Sequence, residues 1–481
     1  MRMLLKFARL SFCSAMFLPV VVFCWNDSLV ANIETIRIPG GRVDWCGANG
    51  LIAFDLCGTD TMYDLWIRNI DGSEEFCLTC GRSDIPQRNI GQPTWHPSGR
   101  WIVFQMEKDP DYDPADSHVV TYVDSTISTS TPGMGWSNDL WCVDLEDTSF
   151  YRLTNLRTKR SWSDPHPITG VLHPHFSHDG RYVLYSECVD GLADLGDRGH
   201  FGLWRMIIAE FDTSGGVPTL IPVDSFEADE YPYVTWFETH GFSPDDSKII
   251  FTANPGPQQR DTYGDICVID LATRELTNLT PEPDSVWDEH AHFSPDGSKI
   301  IWIRSFGYTF DPDNWRRTLR TDWYMMDADG SNKVRLTYFN MPGHPEYTGL
   351  RTICSDACWN TTGDSLLGVI KRTNDSTGVR HTAMIMITFH CPVSVEENSH
   401  IPNLCALDVF PNPFNSSCEI TVPAAAKVEI YDLEGNLVHK PAVGGTKIIW
   451  TPGKSVPSGI YLVRAVSPDG NSKVKRVVYM K

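Results

Sequence analysis

The sequence predicts an all-β protein in which a six-bladed β-propeller is followed by a small immunoglobulin-like β-sandwich. Three observations predict this fold class. An aromatic residue, a Ser-Pro-Asp-Gly turn and a β-branched run recur together in six copies, and a strand containing an aromatic or apolar pair follows each copy. Beyond residue 403 the pattern changes to short strands at closer spacing. Repeats of roughly 40 to 50 residues that each build a small sheet are typical of propeller blades.

The repeat itself predicts a β-hairpin. Its fullest copy runs from His292 to Trp302, through Ser294-Pro295-Asp296-Gly297. The other copies, the last two of them degraded, are Phe242 to Phe251, Phe176 to Tyr185, Trp95 to Phe104, Trp45 to Phe54 and Trp359 to Ile370. Proline presets φ for a turn and glycine accepts a positive φ, so the residues on either side form two antiparallel strands.

Two further strands complete each unit. In the fifth unit they are Asp322 to Met325 and, after the turn Asp327 to Gly330, Val334 to Thr337. A four-stranded sheet alone exposes two apolar faces, which radial stacking against its neighbours covers. The sixth unit lacks an outer strand, whereas Ile33 to Ile38 precedes the first unit as an extra strand. We therefore predict that this strand pairs with the last blade and closes the ring.

These motifs resemble the TolB-like branch of WD-type β-propellers. The propeller domain is assigned to residues 32–402, and the motifs that carry the resemblance are the repeated Phe/Trp-Ser-Pro-Asp-Gly and the Asp-Ala-Asp-Gly turn at 327–330. The resemblance is specific for the fold. It implies little about function, because such propellers serve as partner platforms, as gating domains and as metal-dependent lyases.

The first 31 residues are interpreted as a signal peptide. Arg2, Lys6 and Arg9 precede an apolar stretch from Leu10 to Trp25, and Ala31 ends a plausible cleavage region. A membrane anchor is the alternative, which the short, proline-broken apolar stretch disfavours. No other stretch of the sequence is apolar enough to span a bilayer, so the mature chain is expected to have no transmembrane segment.

Residues 403–481 resemble the type A C-terminal sorting domain of the type IX secretion system. The resemblance rests on Pro411-Asn412-Pro413-Phe414-Asn415, on Tyr431-Asp432-Leu433, on Ser458-Gly459-Ile460-Tyr461 and on the basic strand around Lys475. It implies that the secretion machinery is a partner and that the protein is secreted or held at the cell surface. An immunoglobulin-like module that only binds or spaces is the alternative.

The cysteines predict local disulfides. Of the 14 cysteines, Cys13 and Cys24 lie in the signal peptide, which leaves an even number in an oxidising compartment. Cys77 with Cys80, Cys354 with Cys358, and Cys391 with Cys405 are the candidate pairs. Zinc bound at Cys77 and Cys80 is an alternative, but no second ligand pair follows at a suitable distance.

Charge limits the classes of partner. The formal net charge of −21 argues against a surface for nucleic acid or for anionic lipid. An unknown protein or a carbohydrate therefore remains as the ligand. The stretch Asp109 to Asp113 has calcium-like spacing, but Pro114 stands where a calcium loop needs glycine. An acidic surface loop is the favoured interpretation of that stretch.

Histidines gather just before the repeat aromatic of three consecutive units. They are His173, His175, His240, His290 and His292. Side chains alternate along a strand, so a His-x-His pair projects both rings from one face and can share a cation. The innermost strands of a propeller surround a channel, where these rings could converge on a divalent metal, manganese or zinc. Packed histidines that bond to backbone and water are the alternative.

Function is predicted at the level of class. The first interpretation is a secreted propeller that binds a ligand or a partner at its channel mouth. The second follows from a resemblance to oligogalacturonate lyases, in which histidines before Phe-Ser-Pro-Asp hold a metal, and implies action on acidic polysaccharide. The sequence departs from that branch in two ways: it has six repeat units and not seven, and no residue here can be matched to the catalytic base or the arginine of that branch. Whether the protein is an enzyme is left open.

Overall fold

A computed structural model describes most of the chain. The described residues are 29–124, 127–196, 199, 201–281, 285–390, 408–410, 414–422, 427–432, 435–441, 447–453, 456–466 and 472–481. Residues 1–28 of the predicted signal peptide and the pair Cys391 and Cys405 lie outside them, whereas Val30 and Ala31 belong to the first strand.

Six four-stranded antiparallel sheets account for residues 30–389. Sheets 1 to 3, with strands given from the channel outward, are β2 (Val43–Trp45), β3 (Ile52–Cys57), β4 (Tyr63–Arg68) and β5 (Phe76–Cys77); β6 (Ile90–Trp95), β7 (Trp101–Glu107), β10 (Asn138–Asp144) and β11 (Ser149–Arg152); and β12 (Gly170–Phe176), β13 (Tyr182–Asp190), β14 (Leu203–Asp212) and β15 (Thr219–Phe226). Strands β8 (Tyr122–Asp124) and β9 (Ile127–Ser128) form a separate hairpin.

The second half repeats the arrangement. Sheets 4 to 6 are β16 (Phe237–Phe242), β17 (Lys248–Ala253), β18 (Asp265–Asp270) and β19 (Leu276–Asn278); β20 (Asp288–Phe293), β21 (Lys299–Arg304), β22 (Asp322–Asp327) and β23 (Val334–Arg335); and β24 (Arg351–Trp359), β25 (Ser365–Thr373), β26 (Arg380–Phe389) and β1 (Val30–Arg37). One short α-helix (Trp315–Thr318) and 3₁₀ turns at 114–116, 228–230, 261–263 and 312–314 lie in the loops.

The core lies between the sheets and not within them. Each pair of neighbouring sheets shares a buried apolar cluster, such as Phe251 with Phe237 and Met206 between sheets 3 and 4. The cluster between sheets 6 and 1 joins Phe54 to Leu367 and closes the circle. The innermost strands also contact one another in turn, β24 with β2 included. The propeller prediction is therefore confirmed.

The predicted ring closure is also confirmed. Strand β1 pairs antiparallel with β26, with Ile33 opposite Ile387 and Thr35 opposite Ile385. The first strand of the chain is thus the outermost strand of the last sheet. The chain that leaves β1 then enters β2, so a covalent connection joins the sixth sheet to the first, in addition to their apolar contact.

The repeated turn forms as its residues dictate. In sheet 5 the Ser294 hydroxyl donates to Asp296 Oδ1 at 2.6 Å, the Ser294 amide donates to the Lys299 carbonyl at 2.8 Å, and Gly297 has a φ of 74°. Ser243 and Asp245 repeat the side-chain contact at 2.6 Å in sheet 4. The turn fixes the register of the two inner strands, and therefore the height at which inner-strand side chains enter the channel.

The C-terminal domain consists of two small sheets around one core. One sheet contains β27 (Asp408–Phe410), β28 (Cys418–Thr421) and β31 (Lys447–Trp450). The other contains β29 (Lys427–Tyr431), β30 (Leu437–His439), β32 (Gly459–Val466) and β33 (Ser472–Tyr479). Trp450, Phe414 and Tyr461 are buried between them.

The cysteine predictions have mixed outcomes. Cys77 and Cys80 form a disulfide, which excludes the zinc alternative there. Cys354 and Cys358 are both free and buried, so the prediction that they bridge is wrong. Their strand carries Cys354 toward the core between sheets 5 and 6 and Cys358 toward the core between sheets 6 and 1.

The loop at 109–113 is engaged by protein groups. Asp109 pairs with Arg88 at 3.2 Å and accepts from the Asp111 amide at 3.0 Å, while Asp113 accepts from the Ala115 amide at 2.9 Å. These contacts fit the interpretation as a surface loop. The described part of the chain holds no helix that is long and apolar enough to cross a membrane.

Candidate metal centre in the channel

A β-bulge interrupts five of the six innermost strands at the same height. Pairing with the second strand shifts register between Gly91 and Thr94, between Leu172 and His175, between Thr239 and Gly241, between Glu289 and His292, and between Cys354 and Ala357. A bulge places two residues opposite one and re-aims a side chain. Gln92, His173 and His290 sit at these bulges with φ of 52°, 49° and 53°.

The bulges direct one residue from each of sheets 2 to 6 toward the channel, and Arg42 takes the equivalent position in sheet 1. In five sheets this residue lies three positions before the repeat aromatic, and in sheet 4 it lies two positions before. The six residues, in sheet order, are Arg42, Gln92, His173, His240, His290 and Asp356. We call them the channel ring. The sequence predicted its three histidines. It did not reveal Arg42, Gln92 and Asp356, because these residues differ in type from the histidines at the equivalent positions.

Three imidazoles of the channel ring come together. Ligand atoms of His173, His240 and His290 all lie within 4.8 Å of one another, and the three side chains are 5%, 1% and 8% exposed. Among the described residues, His173 Nε2, His240 Nδ1 and His290 Nδ1 have no hydrogen-bond partner. The His240 Nε2 atom lies 2.8 Å from the Thr252 hydroxyl and 3.2 Å from the His290 backbone nitrogen.

Asp356 from sheet 6 faces two of these nitrogens. Its Oδ1 lies 3.5 Å from His173 Nε2 and 3.9 Å from His290 Nδ1. Burial favours a neutral carboxyl, but His290, His173 and Arg42 outweigh burial and lower the pKa of Asp356. The carboxylate is therefore ionised and points at the space between the imidazoles.

Burial keeps most of the histidines neutral. It lowers the pKa of His173 to about 3, and it lowers the pKa of His240 well below its usual value, with neighbouring imidazoles adding to both effects. At His290 burial acts in the same direction, but Asp356 and Glu289 outweigh it and raise the pKa. Neutral imidazole is the form that binds a metal ion.

Two glutamates lie beside the imidazoles on the side where the inner strands begin. Glu238 Oε1 lies 3.2 Å from His173 Nε2, and Glu289 Oε2 lies 3.2 Å from His290 Nε2. Burial and the neighbouring Glu289 raise the pKa of Glu238 well above its usual value. Burial also acts on Glu289, but His290 outweighs it and lowers that pKa, so the pair carries about one negative charge.

The remaining two predicted histidines form a second layer. The rings of His175 and His292 lie 5.7 Å apart between centroids, and His173 and His175 are 6.1 Å apart. The expectation that each His-x-His pair shares one cation therefore stays a prediction. The bulge between the two histidines breaks the period-2 alternation, so the convergent set takes one histidine from each of three sheets.

The histidines separate two cavities of the channel. The turn-side cavity of about 580 Å³ is lined by His175, His292 and residues of the repeated turns such as Pro295. The insertion-side cavity of about 490 Å³ is lined by Glu238, Glu289 and residues of the long loops. His173 and Asp356 line both cavities, so both cavities border the channel ring.

Two long loops, residues 107–138 of sheet 2 and residues 307–320 of sheet 5, meet at the insertion-side cavity. Arg316, from the loop of sheet 5, places its Nη2 atom 2.9 Å from Met134 Sδ, in the loop of sheet 2. Trp136, Trp287 and Trp315 line the cavity below, and the rings of the last two lie 4.9 Å apart between centroids. The insertion side is thus a roofed, aromatic pocket of the size that small ligands occupy.

Comparison with known proteins identifies the C-terminal domain. Residues 408–480 match the family described as a secretion system C-terminal sorting domain. The predicted sorting domain is confirmed, and the chain is addressed through the type IX secretion system to the cell surface or the medium. No curated protein matches the chain.

Solved structures resemble the whole chain only loosely. TolB from Acinetobacter baumannii is 16% identical, with a TM-score of 0.38 over 70% of this chain and 64% of its own, so the chain spans less than two thirds of it. An oligogalacturonate lyase in complex with manganese is 12% identical, with a TM-score of 0.40 over 75% of this chain and 96% of its own. PorZ, a surface component of the type IX secretion system of Porphyromonas gingivalis, is 11% identical, with a TM-score of 0.37 over 93% of this chain and 59% of its own. Likeness at this level assigns no function.

Proposed function

We propose that this exported propeller is a binding module that holds a divalent cation in its channel and binds its ligand against that cation. His173 Nε2, His240 Nδ1, His290 Nδ1 and Asp356 Oδ1 are the proposed ligands. One observation carries the proposal. Nitrogens of three buried imidazoles from three different sheets lie within 4.8 Å of one another beside an ionised carboxylate. Among the described residues His240 Nδ1 and His290 Nδ1 have no hydrogen-bond partner, while His173 Nε2 lies 3.2 Å from Glu238 Oε1.

Unpaired nitrogens in this number need an explanation. A buried polar atom without a partner costs roughly 1–3 kcal/mol, so His240 Nδ1 and His290 Nδ1 in one cluster oppose folding unless something binds them. Packed histidines that bond to backbone and water are the alternative raised by the sequence, and they would leave the protein without bound metal. The ring centroids of His173 and His290 are 5.4 Å apart.

The donor set fits manganese or zinc. Imidazole with carboxylate suits both ions, whereas calcium prefers oxygen ligands alone. Three nitrogens bound to one ion at roughly 2.1 Å lie about 3.0 to 3.6 Å from one another. The present limit of 4.8 Å therefore requires the imidazoles to close on the ion by about 1 Å.

The contacts of the cluster favour the proposed tautomer at His290 and oppose it at His240. The His290 amide donates to His240 Nε2 at 3.2 Å, so a metal on His240 Nδ1 requires that contact to break and Nε2 to donate its proton to the Thr252 hydroxyl at 2.8 Å. His290 donates from Nε2 to Glu289, which in turn accepts from Trp287 Nε1 at 2.9 Å. Such outer contacts fix ligand orientation and raise basicity.

Metal analysis and titration test the proposal. Purified mature protein should contain Mn²⁺ or Zn²⁺, or bind either after chelation, with one site per chain by calorimetry. His240→Ala should weaken binding at least 100-fold, whereas His381→Ala, an exposed histidine of β26, should leave it unchanged. His175→Ala should cost less than tenfold, because its ring belongs to the second layer.

Binding by none of these ions, or equal binding by the His240 and His381 variants, would contradict the proposal. The same samples test the lyase alternative, since an unsaturated product formed from a uronate oligomer is detected by its ultraviolet absorbance. Its formation by the wild type and its loss in His290→Ala would favour that alternative over binding alone.

A further inference from the structure

A third pocket lies between the 307–320 loop of sheet 5 and strands β24 to β26 of sheet 6. Its volume is about 780 Å³, and of the described residues that line it none belongs to the channel ring. Four of the lining residues are arginines. They are Arg317 and Arg320 from the loop, Arg351 from β24 and Arg380 from β26. We call this the arginine pocket.

Sheet 6 supplies one wall of the arginine pocket as a row of three residues. The strand register places Arg351 opposite Thr373 and Thr373 opposite Arg380, so the three side chains lie on one face of the sheet. Thr373 is 4% exposed, and among the described residues its hydroxyl has no hydrogen-bond partner. A buried hydroxyl without a partner is unfavourable, and this one is flanked by an arginine on each neighbouring strand. The row therefore offers a donor and two cations to an anion in the pocket.

Positive charge exceeds negative charge in the arginine pocket. Arg351, whose side chain is 3% exposed, pairs with Asp375 at 2.8 Å, and Arg320 lies 3.5 Å from the other oxygen of the same carboxylate. The other two arginines have no acidic partner among the described residues. One further acid, Asp311, lines the pocket, so four positive charges face two negative charges. This excess of two stands out in a chain whose formal net charge is −21.

Lys371 extends the positive charge toward the channel. It lies on the same face of sheet 6 as Thr373, and it lines the insertion-side cavity, which Arg380 also borders. Burial, followed by Arg380, Arg316 and other arginines, lowers the pKa of Lys371 to about 8. The charged groups that act on this lysine most strongly are thus cations, and a bound anion would relieve their mutual repulsion.

The charge and the donors of the pocket favour a tetrahedral dianion. A planar carboxylate is matched by one guanidinium, whereas a phosphate group has enough acceptor oxygens for several arginines and a hydroxyl together. A phosphate monoester carries a charge of about −1.5 to −2 near pH 7, which matches the excess of positive charge. A carboxylate or a sulfate monoester is a monoanion and would leave the pocket positive.

We propose that the arginine pocket binds the phosphate monoester group of a small molecule or of a lipid headgroup, with Arg317 and Arg380 as its paired cations and the Thr373 hydroxyl as a further donor. Arg351 is held in place by Asp375 and by two backbone carbonyls at 3.2 and 3.4 Å, and it forms a fixed part of the wall. The site uses no residue of the channel ring, so it is independent of the proposed metal centre.

Calorimetry on the mature full-length protein tests the pocket with anions of matched shape. Methyl phosphate, mostly a dianion at about pH 7.5, should bind with a Kd below about 1 mM. Methyl sulfate, a monoanion of the same shape, and acetate should bind at least about fivefold more weakly at the same ionic strength. Each titration is repeated after chelation, because phosphate held by a metal ion in the channel would be lost with the ion.

Variants assign the binding to the pocket. Arg317→Ala and Arg380→Ala, both at exposed positions, should each weaken methyl phosphate binding at least about fivefold, and the double variant should abolish it. Thr373→Val keeps the size of the side chain, and it should weaken binding about threefold without lowering the melting temperature, since the hydroxyl has no partner in the protein. Arg464→Ala removes an exposed arginine from β32 of the C-terminal domain and is the matched control, expected to bind as the wild type does.

Vesicles identify the source of the phosphate group. Binding to phosphatidylcholine vesicles that contain phosphatidic acid, but not to pure phosphatidylcholine, with loss in Arg380→Ala, would support the site and assign it to a lipid headgroup. Binding of methyl phosphate without vesicle binding would support the site and assign it to a small molecule. Binding of neither phosphate, equal binding of methyl phosphate and methyl sulfate, wild-type affinity in the double variant, or binding that disappears on chelation would overturn the proposal.

Discussion

Replacing Asp356 with asparagine is the sharpest test of the channel ring, because this residue was not part of the predicted histidine set. Asparagine keeps the size of the side chain and removes its charge. The Asp356 Oδ1 atom lies 3.5 Å from His173 Nε2 and 3.9 Å from His290 Nδ1. An ion bound to both nitrogens at about 2.1 Å would lie within roughly 3 Å of this oxygen.

The expected magnitude follows from that distance. A dication and a carboxylate about 3 Å apart attract each other by roughly 11 kcal/mol at an effective dielectric constant of 20. Desolvation of the ion and of the carboxylate offsets most of this attraction, and the asparagine oxygen retains a weak dipolar contact. We expect a net loss of about 3 kcal/mol in the free energy of manganese binding, which corresponds to an affinity roughly 100-fold lower.

Calorimetric titration of MnCl₂ into the wild type and Asp356→Asn measures this loss. Asp144→Asn is the control, because it removes the same charge where Asp144 faces Arg100 at 2.6 Å, away from the channel ring. The control should bind manganese as the wild type does. An Asp356→Asn protein that is folded and binds manganese within threefold of the wild type would refute the assignment of Asp356 as a ligand.

Three further predictions concern the fold and export. Deleting residues 30–37 removes the strand that closes the ring and should lower the melting temperature by more than about 10 °C in a thermal shift assay; an unchanged curve would rule out closure. Gly368→Ala should destabilise by about 2 kcal/mol or more in urea, because the new Cβ would meet Trp323 Cζ2 at 2.4 Å, whereas Gly215→Ala meets nothing within 4 Å and should be neutral. Removing residues 408–480 should leave the protein in the periplasm by cell fractionation, and its appearance outside the cell would contradict the sorting role.

The sequence predicted the sheets because the signals for them are local. A turn such as Ser294 to Gly297 needs only its own side chains and backbone, so the same turn sequence predicts the same hairpin wherever it recurs. Ring closure by Ile33 to Ile38 was predictable for a related reason, since a missing outer strand at one end matched an extra strand at the other.

The channel ring was only half predictable. The histidines stood out because they share a residue type, but the bulges that aim them come from a register shift between two strands, which alternation alone does not reveal. Counting three residues back from Trp359 gives Asp356, and the same count from Trp95 gives Gln92. Position within the repeat, and not residue type, was the signal that could have found them.

The position of Lys371 and Arg380 along the insertion-side cavity could not be predicted from sequence. Lys371 and Arg380 lie on two strands whose pairing sets them on one face, and the long loops that enclose them come from other sheets. Whether a lysine is paired depends on every acidic side chain within a few ångströms. For Lys371 that environment is assembled from distant parts of the chain.

The ring architecture explains why such different residues can share one height in the channel. Each sheet contributes an equivalent backbone position, and packing between sheets depends on the strands around it and not on the side chain that enters the channel. Sheets 3, 4 and 5 can therefore present imidazoles while sheet 6 presents a carboxylate and sheet 1 a guanidinium. In the double variant Gln92→His and His173→Gln, one imidazole moves from sheet 3 to the equivalent bulge of sheet 2. Retention of manganese affinity in this variant would show that the backbone position alone defines a ligand site.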